Sequence, residues 1–567
     1  MWRRNNPLRL LAAALVALWW TAGAVAVDTP PAAALATAHP LATAAGKRTL
    51  EAGGNAFDAA VAISAALAVV EPSGSGLGGG GFYLLHRASD QRDVFLDARE
   101  TAPHAATADM YLDAAGDIRP DASVDGPLAA GIPGVPAALA HLAQHYGRLP
   151  LSTTLAPAIA YARDGFVVDE RYPKLIKFRL EQLRRQPEAA LTFLLQGDAP
   201  PAGFVLRQPA LANTLERIAA QPQSFYTGDV ARKLVDGVRA AGGIWTLDDL
   251  AAYRVVEREP LRGEYRGFKL TVPPPPSSGG VALLTMLNVL SGYDLARLDR
   301  PTQIHLTVES MRRAYRDRAE YLGDPDFVDV PVARLIHPWY AAGLRASIRL
   351  DKTTPSQHLP GGPAPPAGTD TTHFSVLDSA GNRVAATLSI NLPFGSGFVA
   401  PGTGVLLNNE MDDFSAKPGA PNAYGLVGST ANAIAPGKRP LSSMTPVFLE
   451  SPQRLGILGT PGGSRIITMV LHGIMAGVDG ASVQEWVQRP RFHHQFLPDV
   501  LSYEPGALSD EETKQLAQRG HTLKPTDSPF GNMQAIAWDK SQGTVTAGSD
   551  PRGVGRSEVL IARPENP

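Results

Sequence analysis

The sequence contains no cysteine among its 567 residues. Disulfide bonds, thiolate metal sites, a cysteine nucleophile and a lipidated N-terminal cysteine are therefore all excluded. Charge of either sign is also not in excess, because 52 Lys and Arg against 54 Asp and Glu give a formal net charge of -2. Nucleic acid and anionic membranes attract strongly basic surfaces, so neither is expected as a partner.

Long apolar runs are scarce, and the clearest one lies at the N-terminus. Three arginines precede an apolar run from Leu10 to Trp20, and an A-x-A cleavage motif ends at Ala26. We interpret residues 1–26 as a secretory signal peptide, which predicts an exported protein, periplasmic or secreted. An uncleaved anchor is the alternative, although the run is short for a membrane span. The apolar stretch 59–70 is also too short for a membrane span and predicts a buried helix.

A proline-rich tract divides the chain. It reads PSQHLPGGPAPPAG over residues 355–368, a composition that cannot hold regular structure. Helical and strand patterns mix before the tract, whereas strand patterns dominate after it, which predicts an α+β fold. A strand pattern follows directly at Thr371 and Thr372. The tract is either a surface linker that runs into an ordinary strand, or the approach to a cut in the chain before Thr371.

The residues after this tract predict a β-hairpin. Two alternating runs within residues 372–391 flank the turn sequence DSAGN. The simplest register places Thr371 opposite Ile390. Ser389 and Asn391 flank that position, so a hydroxyl and an amide lie beside Thr371 within one residue of register error. Polar residues at strand ends are common, so the pattern also fits an ordinary hairpin.

A glycine turn forms a second candidate feature. Residues 454–459 predict a strand, TPGG a turn, and the apolar run 464–475 a helix. Gly462 and Gly463 therefore lie just before a helix N-terminus, where unpaired N–H groups favour anions. Such donors can form an oxyanion hole, worth about 3 kcal/mol each. The alternative is a turn in which glycine serves only the backbone geometry.

Two other patterns imitate ligand sites. The glycines at 74–81 follow a helix and precede a strand, the reverse of the order in nucleotide-binding loops, so close backbone approach explains them better. His141 and His145 have the i, i+4 spacing of zinc ligands, but the glutamate of H-E-x-x-H and a third ligand are missing. We therefore predict neither a cofactor nor a metal.

Many motifs in a single order resemble one known family. They are LGGGGFYL, LDARETAP, PPPPSSGG, EYLGDPDFV, TTHFSVLD, LLNNEMDDFSAKPG, NAYGLVG, KRPLSSMTP, GTPGGSRII and RFHHQ. Together they resemble the gamma-glutamyltranspeptidases, which are N-terminal nucleophile hydrolases, and the similarity covers nearly everything after residue 26. The resemblance implies a four-layer αββα sandwich, formed jointly by a large subunit, 27–370, and a small catalytic subunit, 371–567.

The resemblance also implies the chemistry. The precursor cuts itself between Asp370 and Thr371, and Thr371 then carries an α-amino group that acts as base near neutrality. Its hydroxyl attacks the γ-carbonyl of glutathione or a related donor and forms a γ-glutamyl ester. Water or the amine of an amino acid or peptide then accepts the acyl group, which gives hydrolysis or transpeptidation.

The resemblance assigns further residues to this reaction. Ser389 supports the nucleophile, and Gly462 and Gly463 supply the oxyanion donors. The glutamyl α-carboxylate is held by Arg99, Ser442 and Ser443. The α-ammonium is held by Asn391, Glu410 and Asp413. Tyr424 matches a lid loop that covers the site in many bacterial members.

Two alternatives to γ-glutamyl transfer or glutathione hydrolysis stay open at this point. One is a sibling chemistry, either a β-lactam side-chain acylase or a poly-γ-glutamate transpeptidase. Glutaryl substrates lack the amine that Asn391, Glu410 and Asp413 would bind, and a lid argues against long polymers. The other is an exported binding protein that keeps the pocket but never matures.

Overall fold

The computed structural model describes residues 29–359, 371–417 and 419–561. The predicted signal peptide 1–26 and Asp370 lie outside the described residues. No helix in the described part of the chain is long and apolar enough to cross a membrane.

The described residues form eighteen strands. They are β1 (Ala32–Thr37), β2 (Gly80–Arg87), β3 (Arg92–Ala98), β4 (Phe166–Val167), β5 (Val205–Leu206), β6 (Val256–Arg258), β7 (Leu261–Tyr265), β8 (Phe268–Val272), β9 (Thr372–Leu377), β10 (Arg383–Ser389), β11 (Val447–Glu450), β12 (Arg454–Gly459), β13 (Phe492–His493), β14 (Leu501–Tyr503), β15 (Leu523–Pro525), β16 (Gln534–Asp539), β17 (Thr544–Ser549) and β18 (Arg556–Ile561).

The same residues form sixteen α-helices. They are α1 (Pro40–Glu51), α2 (Ala56–Val70), α3 (Val135–His145), α4 (Leu151–Asp164), α5 (Tyr172–Arg185), α6 (Pro187–Phe193), α7 (Pro209–Ala220), α8 (Asp229–Ala240), α9 (Leu247–Ala252), α10 (Gly279–Leu290), α11 (Arg300–Tyr321), α12 (Val332–Leu335), α13 (Pro338–Ala346), α14 (Ile466–Val478), α15 (Val483–Gln488) and α16 (Asp510–Gln518). Short 3₁₀ turns include Glu410–Asp413 and Gly463–Arg465.

Two antiparallel sheets occupy the centre of the fold. One has seven strands in the order β18-β1-β9-β10-β2-β3-β6, and the other has six in the order β17-β16-β12-β11-β8-β7. Strands from before and after the proline-rich tract are therefore interleaved in the seven-stranded sheet, and both kinds also contribute to the six-stranded sheet. The remaining strands form two small sheets, β13-β14-β15 and β4-β5.

The seven-stranded sheet turns alternate side chains toward two different cores. Leu35 and Tyr83 pack with the apolar face of the helices α2 to α4 in one core. Ala34 and Phe82 point the other way, into a core shared with the six-stranded sheet and with helices α10, α11 and α14. Because side chains of a strand alternate between its faces, the layers follow the order helix, sheet, sheet, helix. The predicted four-layer αββα sandwich is confirmed.

Helix α2 is covered on all sides, as its uninterrupted apolar sequence predicts. Every residue from Ala56 to Val70 is buried, and Asn55 and Asp58 form a capping box at its N-terminus. The glycines that follow are packed against the backbone of other segments of the same chain. A Cβ atom on Gly78 or Gly79 would overlap a carbonyl oxygen of such a segment. Close backbone approach, and not nucleotide binding, accounts for them.

The predicted hairpin forms, but its simplest register is wrong by one residue. Arg383 pairs with Leu377, and Leu388 pairs with Thr372, so continuing the ladder places Ser389 opposite Thr371. The cause is Asp378, whose carboxylate accepts hydrogen bonds from backbone amides of its own turn and therefore belongs to the turn. The hydroxyl of Ser389, and not Ile390, consequently faces Thr371.

Candidate active site

Most of the sequence-predicted site residues line one small cavity, called here the first cavity. Ten of the eleven lie on its wall: Arg99, Thr371, Ser389, Asn391, Glu410, Asp413, Tyr424, Ser442, Ser443 and Gly463. Gly462 lines an adjoining, larger cavity, to which Thr371 also contributes. The residues come from segments that are hundreds of positions apart, and the sheet order brings them together.

Thr371 lies at the start of β9, between the two cavities. It is 5% exposed, and Ser389 at the end of β10 is 4% exposed. The Ser389 Oγ accepts a hydrogen bond of 2.7 Å from the Asn391 amide. This bond holds Asn391 in a left-handed conformation with φ 75°, and its side-chain Nδ2 donates to the Asn409 carbonyl. The chain therefore turns away from the sheet directly beside Thr371.

The glycine turn joins β12 to α14. Gly462 has φ 140° and Gly463 has φ 55°, conformations that side chains other than glycine rarely adopt. Among the described residues, neither amide has a hydrogen-bond acceptor. Two unpaired N–H groups before a helix N-terminus can stabilise a negative oxygen near Thr371.

The charged end of the first cavity is an ion-pair cluster around Arg99. This side chain follows β3 and is 1% exposed. Its Nη1 lies 2.7 Å from Glu410 Oε2, and its Nη2 lies 2.5 Å from Asp413 Oδ2. The family resemblance implies that Arg99 binds a substrate carboxylate and that the two acids bind a substrate ammonium. In this structure, Arg99 and the two acids pair with one another. A buried guanidinium requires such compensation.

The cluster holds more carboxyl groups than cations. Besides Glu410 and Asp413, the buried carboxyl of Glu100 lies 3.5 Å from Arg99. Burial raises the pKa of Glu410 to about 7, although the positive charge of Arg99 opposes the shift. Burial and the neighbouring Glu410 also raise the pKa of Glu100 well above its ordinary value. The site therefore has acidic capacity for an additional cation.

Two adjacent serines line the wall beside this cluster. The Ser442 Oγ accepts a hydrogen bond from the Met444 amide, and the Ser443 Oγ accepts one of 3.4 Å from Arg318. Arg318, on α11, is a second buried cation that the sequence analysis misses, since it follows an ordinary helical pattern. Four further cavity residues are also missed: Leu426, Met444, Ser464 and Ile466. All four lie within three positions of a predicted residue, but no motif of their own marks them as site residues.

Tyr424 closes one side of the first cavity. It is buried, and its Oη donates a hydrogen bond of 2.6 Å to the Asn391 carbonyl. Its ring packs against Gly463 so closely that a Cβ atom there would overlap it. Tyr424 thus connects the segment beside Thr371 to the glycine turn, as a covering loop would.

The histidine patterns are structural among the described residues. His141 contacts Glu257 at 2.9 Å, and no cluster of His, Asp and Glu that could hold a metal occurs in the described part of the chain. His493 contacts Thr468 at 2.8 Å, and burial lowers its pKa to about 3. His494 is likewise buried and contacts Asp499. Burial also lowers the pKa of His494 to about 4, so His493 and His494 are neutral at physiological pH, and both are hydrogen-bonded within the fold.

Comparison with known proteins identifies the family. The family model for gamma-glutamyltranspeptidase matches residues 42–560. A curated relative, the glutathione hydrolase proenzyme of Escherichia coli (strain K12), is 42% identical over 527 residues, which cover 92% of this chain and 90% of the relative.

Solved structures agree with this result. The cephalosporin acylase from Bacillus halodurans is 31% identical with a TM-score of 0.81, covering 94% of this chain and 96% of that one. The gamma-glutamyltranspeptidase of Helicobacter pylori is 41% identical with a TM-score of 0.56, covering 57% of this chain and 93% of that one. The chain therefore belongs to the gamma-glutamyltranspeptidase family.

Proposed function

We propose that this protein is a self-processing gamma-glutamyltransferase and glutathione hydrolase with Thr371 as nucleophile. One observation supports the proposal. Thr371, Gly463 of the glycine turn, and the ion-pair cluster of Arg99, Glu410 and Asp413 all line the same small cavity. The name of the Escherichia coli relative, a glutathione hydrolase proenzyme, supports both the donor and the processing.

Maturation begins with attack of the Thr371 Oγ on the carbonyl carbon of Asp370. The C–N bond breaks, the Thr371 nitrogen takes up a proton, and an ester links the two residues until water hydrolyses it. The products are residues 27–370 and 371–567, after export has removed residues 1–26. Cleavage converts the Thr371 amide into an amine with an ordinary pKa of about 7.7–8.0, which supplies a base near neutral pH.

The donor binds by exchanging partners within the cluster. Its α-carboxylate pairs with Arg99 and accepts hydrogen bonds from Ser442 and Ser443. Its α-ammonium takes the places that Arg99 leaves at Glu410 and Asp413, with Asn391 as a further acceptor. Each charged group keeps a partner of opposite charge throughout. A buried ion without a partner costs several kcal/mol, and this exchange avoids that cost for the zwitterionic donor.

The γ-carbonyl then lies at Thr371. The α-amine removes the hydroxyl proton, Oγ attacks, and the amides of Gly462 and Gly463 stabilise the tetrahedral oxyanion. The same proton passes to the leaving amine as the γ-glutamyl ester forms. Water or an acceptor amine then attacks the ester and releases Thr371. Ser389 lies beside the nucleophile during both formation and breakdown of the ester.

A gel tests the maturation. Wild-type protein should give two fragments, the smaller starting TTHFS, and Thr371→Ala should remain one chain. Thr371→Ser is the matched control, because it retains a hydroxyl at the same place and should still be cut. Wild-type protein that stays intact after prolonged incubation would instead favour the non-enzymatic binding protein.

A second candidate, an acylase that accepts glutaryl groups, is favoured by the similarity to the cephalosporin acylase. The carboxyl groups of Glu410 and Asp413 beside Arg99 argue against it, because a glutaryl group brings no ammonium to pair with them. Release of the same arylamine from γ-glutamyl and glutaryl donors decides between them. The proposal expects a strong preference for γ-glutamyl; equal rates would remove the case for an ammonium pocket.

A further inference from the structure

Glu71 is an acid without a role in the reaction proposed above, although it lies beside the start of β9. It directly follows helix α2, and together with Thr371 it lines the larger cavity. A Cβ atom on Gly74 would lie 3.2 Å from the Thr371 carbonyl oxygen and 3.5 Å from the Glu71 carboxyl carbon. The Glu71 carboxyl and the main chain of Thr371 therefore border the same small space.

The carboxyl of Glu71 is only partly compensated in this structure. Its Oε2 atom is buried and has no hydrogen-bond partner among the described residues. Glu71 is also the C-cap of α2, where the helix dipole is negative, and the last turn of α2 contains no basic residue. A buried acid at such a position is unfavourable unless a cation or a hydrogen-bond donor arrives there.

The nearest polar groups decide when Glu71 is charged. Burial raises the pKa of Glu71 to about 7, although the Thr372 hydroxyl and the positive charge of Arg171 oppose this shift. The carboxylate of Asp169 adds to the rise. Glu71 therefore becomes an anion close to neutral pH.

Other titratable groups line the two cavities that Glu71 borders. Burial lowers the pKa of His39 to about 4 and that of His493 to about 3, and it raises the pKa of Tyr172, so all three side chains are neutral between pH 6 and 9. The remaining charged residues of the larger cavity are Lys174, Arg465, Lys524, Arg552 and Asp527. Side chains of these types ordinarily keep their charge in that range. Among the described residues at this place, Glu71 is therefore the one expected to change its charge.

The proposed cut creates a hydrogen-bond donor beside this carboxyl. It converts the amide nitrogen of Thr371 into an α-amino group, which is only one atom away from the carbonyl group that borders the shared space. The protonated amine carries a positive charge and three N–H donors, and the Glu71 carboxyl can accept from it. Thr371 is 5% exposed, so water solvates this ammonium poorly and it also requires a partner.

We propose that Glu71 positions the mature nucleophile: its carboxylate accepts a hydrogen bond from the α-amino group of Thr371 and holds that group beside the Thr371 hydroxyl. The inference rests on the proposed self-cleavage and γ-glutamyl transfer. It makes Glu71 a positioning residue, which acts through the amine and not on the donor. A neighbouring carboxylate favours the ammonium form, so Glu71 raises the pKa of the base.

The pH dependence of kcat tests this role. For hydrolysis of γ-glutamyl-4-nitroanilide between pH 6 and 9.5, Glu71→Gln should move the midpoint of the rise in kcat about one unit lower, because the amine loses a nearby negative charge. KM should change little, since the α-groups of the donor bind at the Arg99 cluster. Glu71→Asp keeps the carboxylate but withdraws it by one methylene, and it should give an intermediate midpoint.

Glu170→Gln is the matched control for this experiment. Glu170 is an exposed acid shortly before helix α5, and it lines neither of the two cavities that Glu71 borders. The same substitution there removes one carboxylate from the protein but none from the surroundings of Thr371. The midpoint of kcat should therefore stay at the wild-type value.

Thermal stability distinguishes positioning of the amine from a purely structural role. Glu71→Gln should lower the Tm of the cut protein by about 2 °C, since it removes a partner of the new amine. The same substitution in the uncut Thr371→Ala protein should leave Tm nearly unchanged, because that chain has no α-amino group at this place. A structural role would give an equal loss in both proteins.

The outcomes separate this inference from the proposed function. Wild-type protein that gives neither fragments nor turnover would overturn self-cleavage and γ-glutamyl transfer themselves. Normal cutting and turnover of Glu71→Gln with an unchanged midpoint would overturn only the role of Glu71, as would an equal loss of Tm in the cut and uncut proteins. If Glu71→Gln is not cut, Glu71→Asp decides, and a midpoint equal to that of wild type would then refute the inference.

Discussion

Arg99 illustrates how single residues in this site act on one another. In the described structure its guanidinium pairs with Glu410 and Asp413, the two acids that we propose for the donor ammonium. Substrate binding then replaces one set of ion pairs by another and creates no new buried charge. Loss of either acid should therefore affect donors with an ammonium far more than donors without one.

Asp413→Asn tests this dependence. We expect kcat/KM for a γ-glutamyl arylamide to fall by about 10- to 100-fold, because a charged hydrogen bond contributes about 1.5–3 kcal/mol. The slower turnover of the glutaryl analogue should change little, and it serves as the internal control. An equal loss on both donors would mean that Asp413 supports the pocket without contacting the ammonium.

Glu410 should make donor binding depend on pH. Burial raises its pKa to about 7, and Arg99, Asp413 and Glu100 face it. The protonated form dominates below that pH and cannot pair with an ammonium, so KM for the γ-glutamyl donor should decrease as pH rises from 6 to 8. Glu410→Gln, measured over the same range, should abolish most of this dependence while glutaryl KM stays flat in both proteins.

Buried histidines should not contribute to that profile. Burial lowers the pKa of His373, which adjoins the nucleophile strand, to about 3, and it lowers that of His493 equally far. Both rings stay neutral across the assay range. The remaining rise of kcat with pH should reflect the Thr371 amine, with a midpoint near 8.

Among the secondary-structure elements, the turn between β12 and α14 has the most demanding geometry. Its two glycines must combine positive φ with amides that have no hydrogen-bond acceptor among the described residues, and Gly463 must also leave room for the Tyr424 ring. A side chain at Gly463 would displace Tyr424 and move the amide that we propose for the oxyanion.

Gly463→Ala should therefore lower kcat by about 10²- to 10³-fold, the effect of losing one oxyanion donor. Gly480→Ala is a matched control, because Gly480 also has a positive φ of 86° but a Cβ atom there would meet nothing within 4 Å. Both variants should lose thermal stability through the positive φ, and Gly463→Ala should lose more because its Cβ atom also overlaps the Tyr424 ring. Only the first should lose kcat, and equal activities would refute the role of this turn.

Local patterns sufficed for several elements and failed for others. The buried helix α2, the strand β12 and the turn before α14 follow from apolar runs and glycine positions that act within a few residues. The hairpin register failed by one residue because the Asp378 side chain draws that residue into the turn. Arg318 and the apolar residues of the first cavity were not predicted as site residues, because helical spacing and hydrophobicity are the same in a core and in a pocket.

The resemblance identified residues whose proximity no local pattern could predict. Arg99 and Asp413 are separated by more than three hundred positions, and only the strand order brings them into contact. The larger cavity that adjoins Thr371 and Gly462 was not predicted, because quoted motifs supply only part of its wall, such as Arg465 and His493, and the rest comes from loops and short strands without a motif.

For the molecule as a whole, the proposed cut would fall between strands that remain paired. β9 and β10 follow the cut, yet they lie between β1 and β2, which precede it. In the second sheet, β8 precedes the cut and pairs with β11, which follows it. Hydrogen-bonded ladders and two shared cores therefore hold the fragments together without the peptide bond.

Processed protein should accordingly elute as one species. We expect size-exclusion chromatography of the cut form to match the uncut Thr371→Ala protein, with both fragments in the same fraction. Denaturant should be required to separate them. Fragments that part under native conditions would contradict the interleaved sheet order.

The place of β1 has a consequence for biosynthesis. Its two neighbours, β9 and β18, are both translated long after it. A nascent chain that lacks β18 thus cannot finish the sheet that contains β9. The proposed self-cleavage should therefore wait until β18 has been synthesised, so chains truncated before β18 should keep the scissile bond intact.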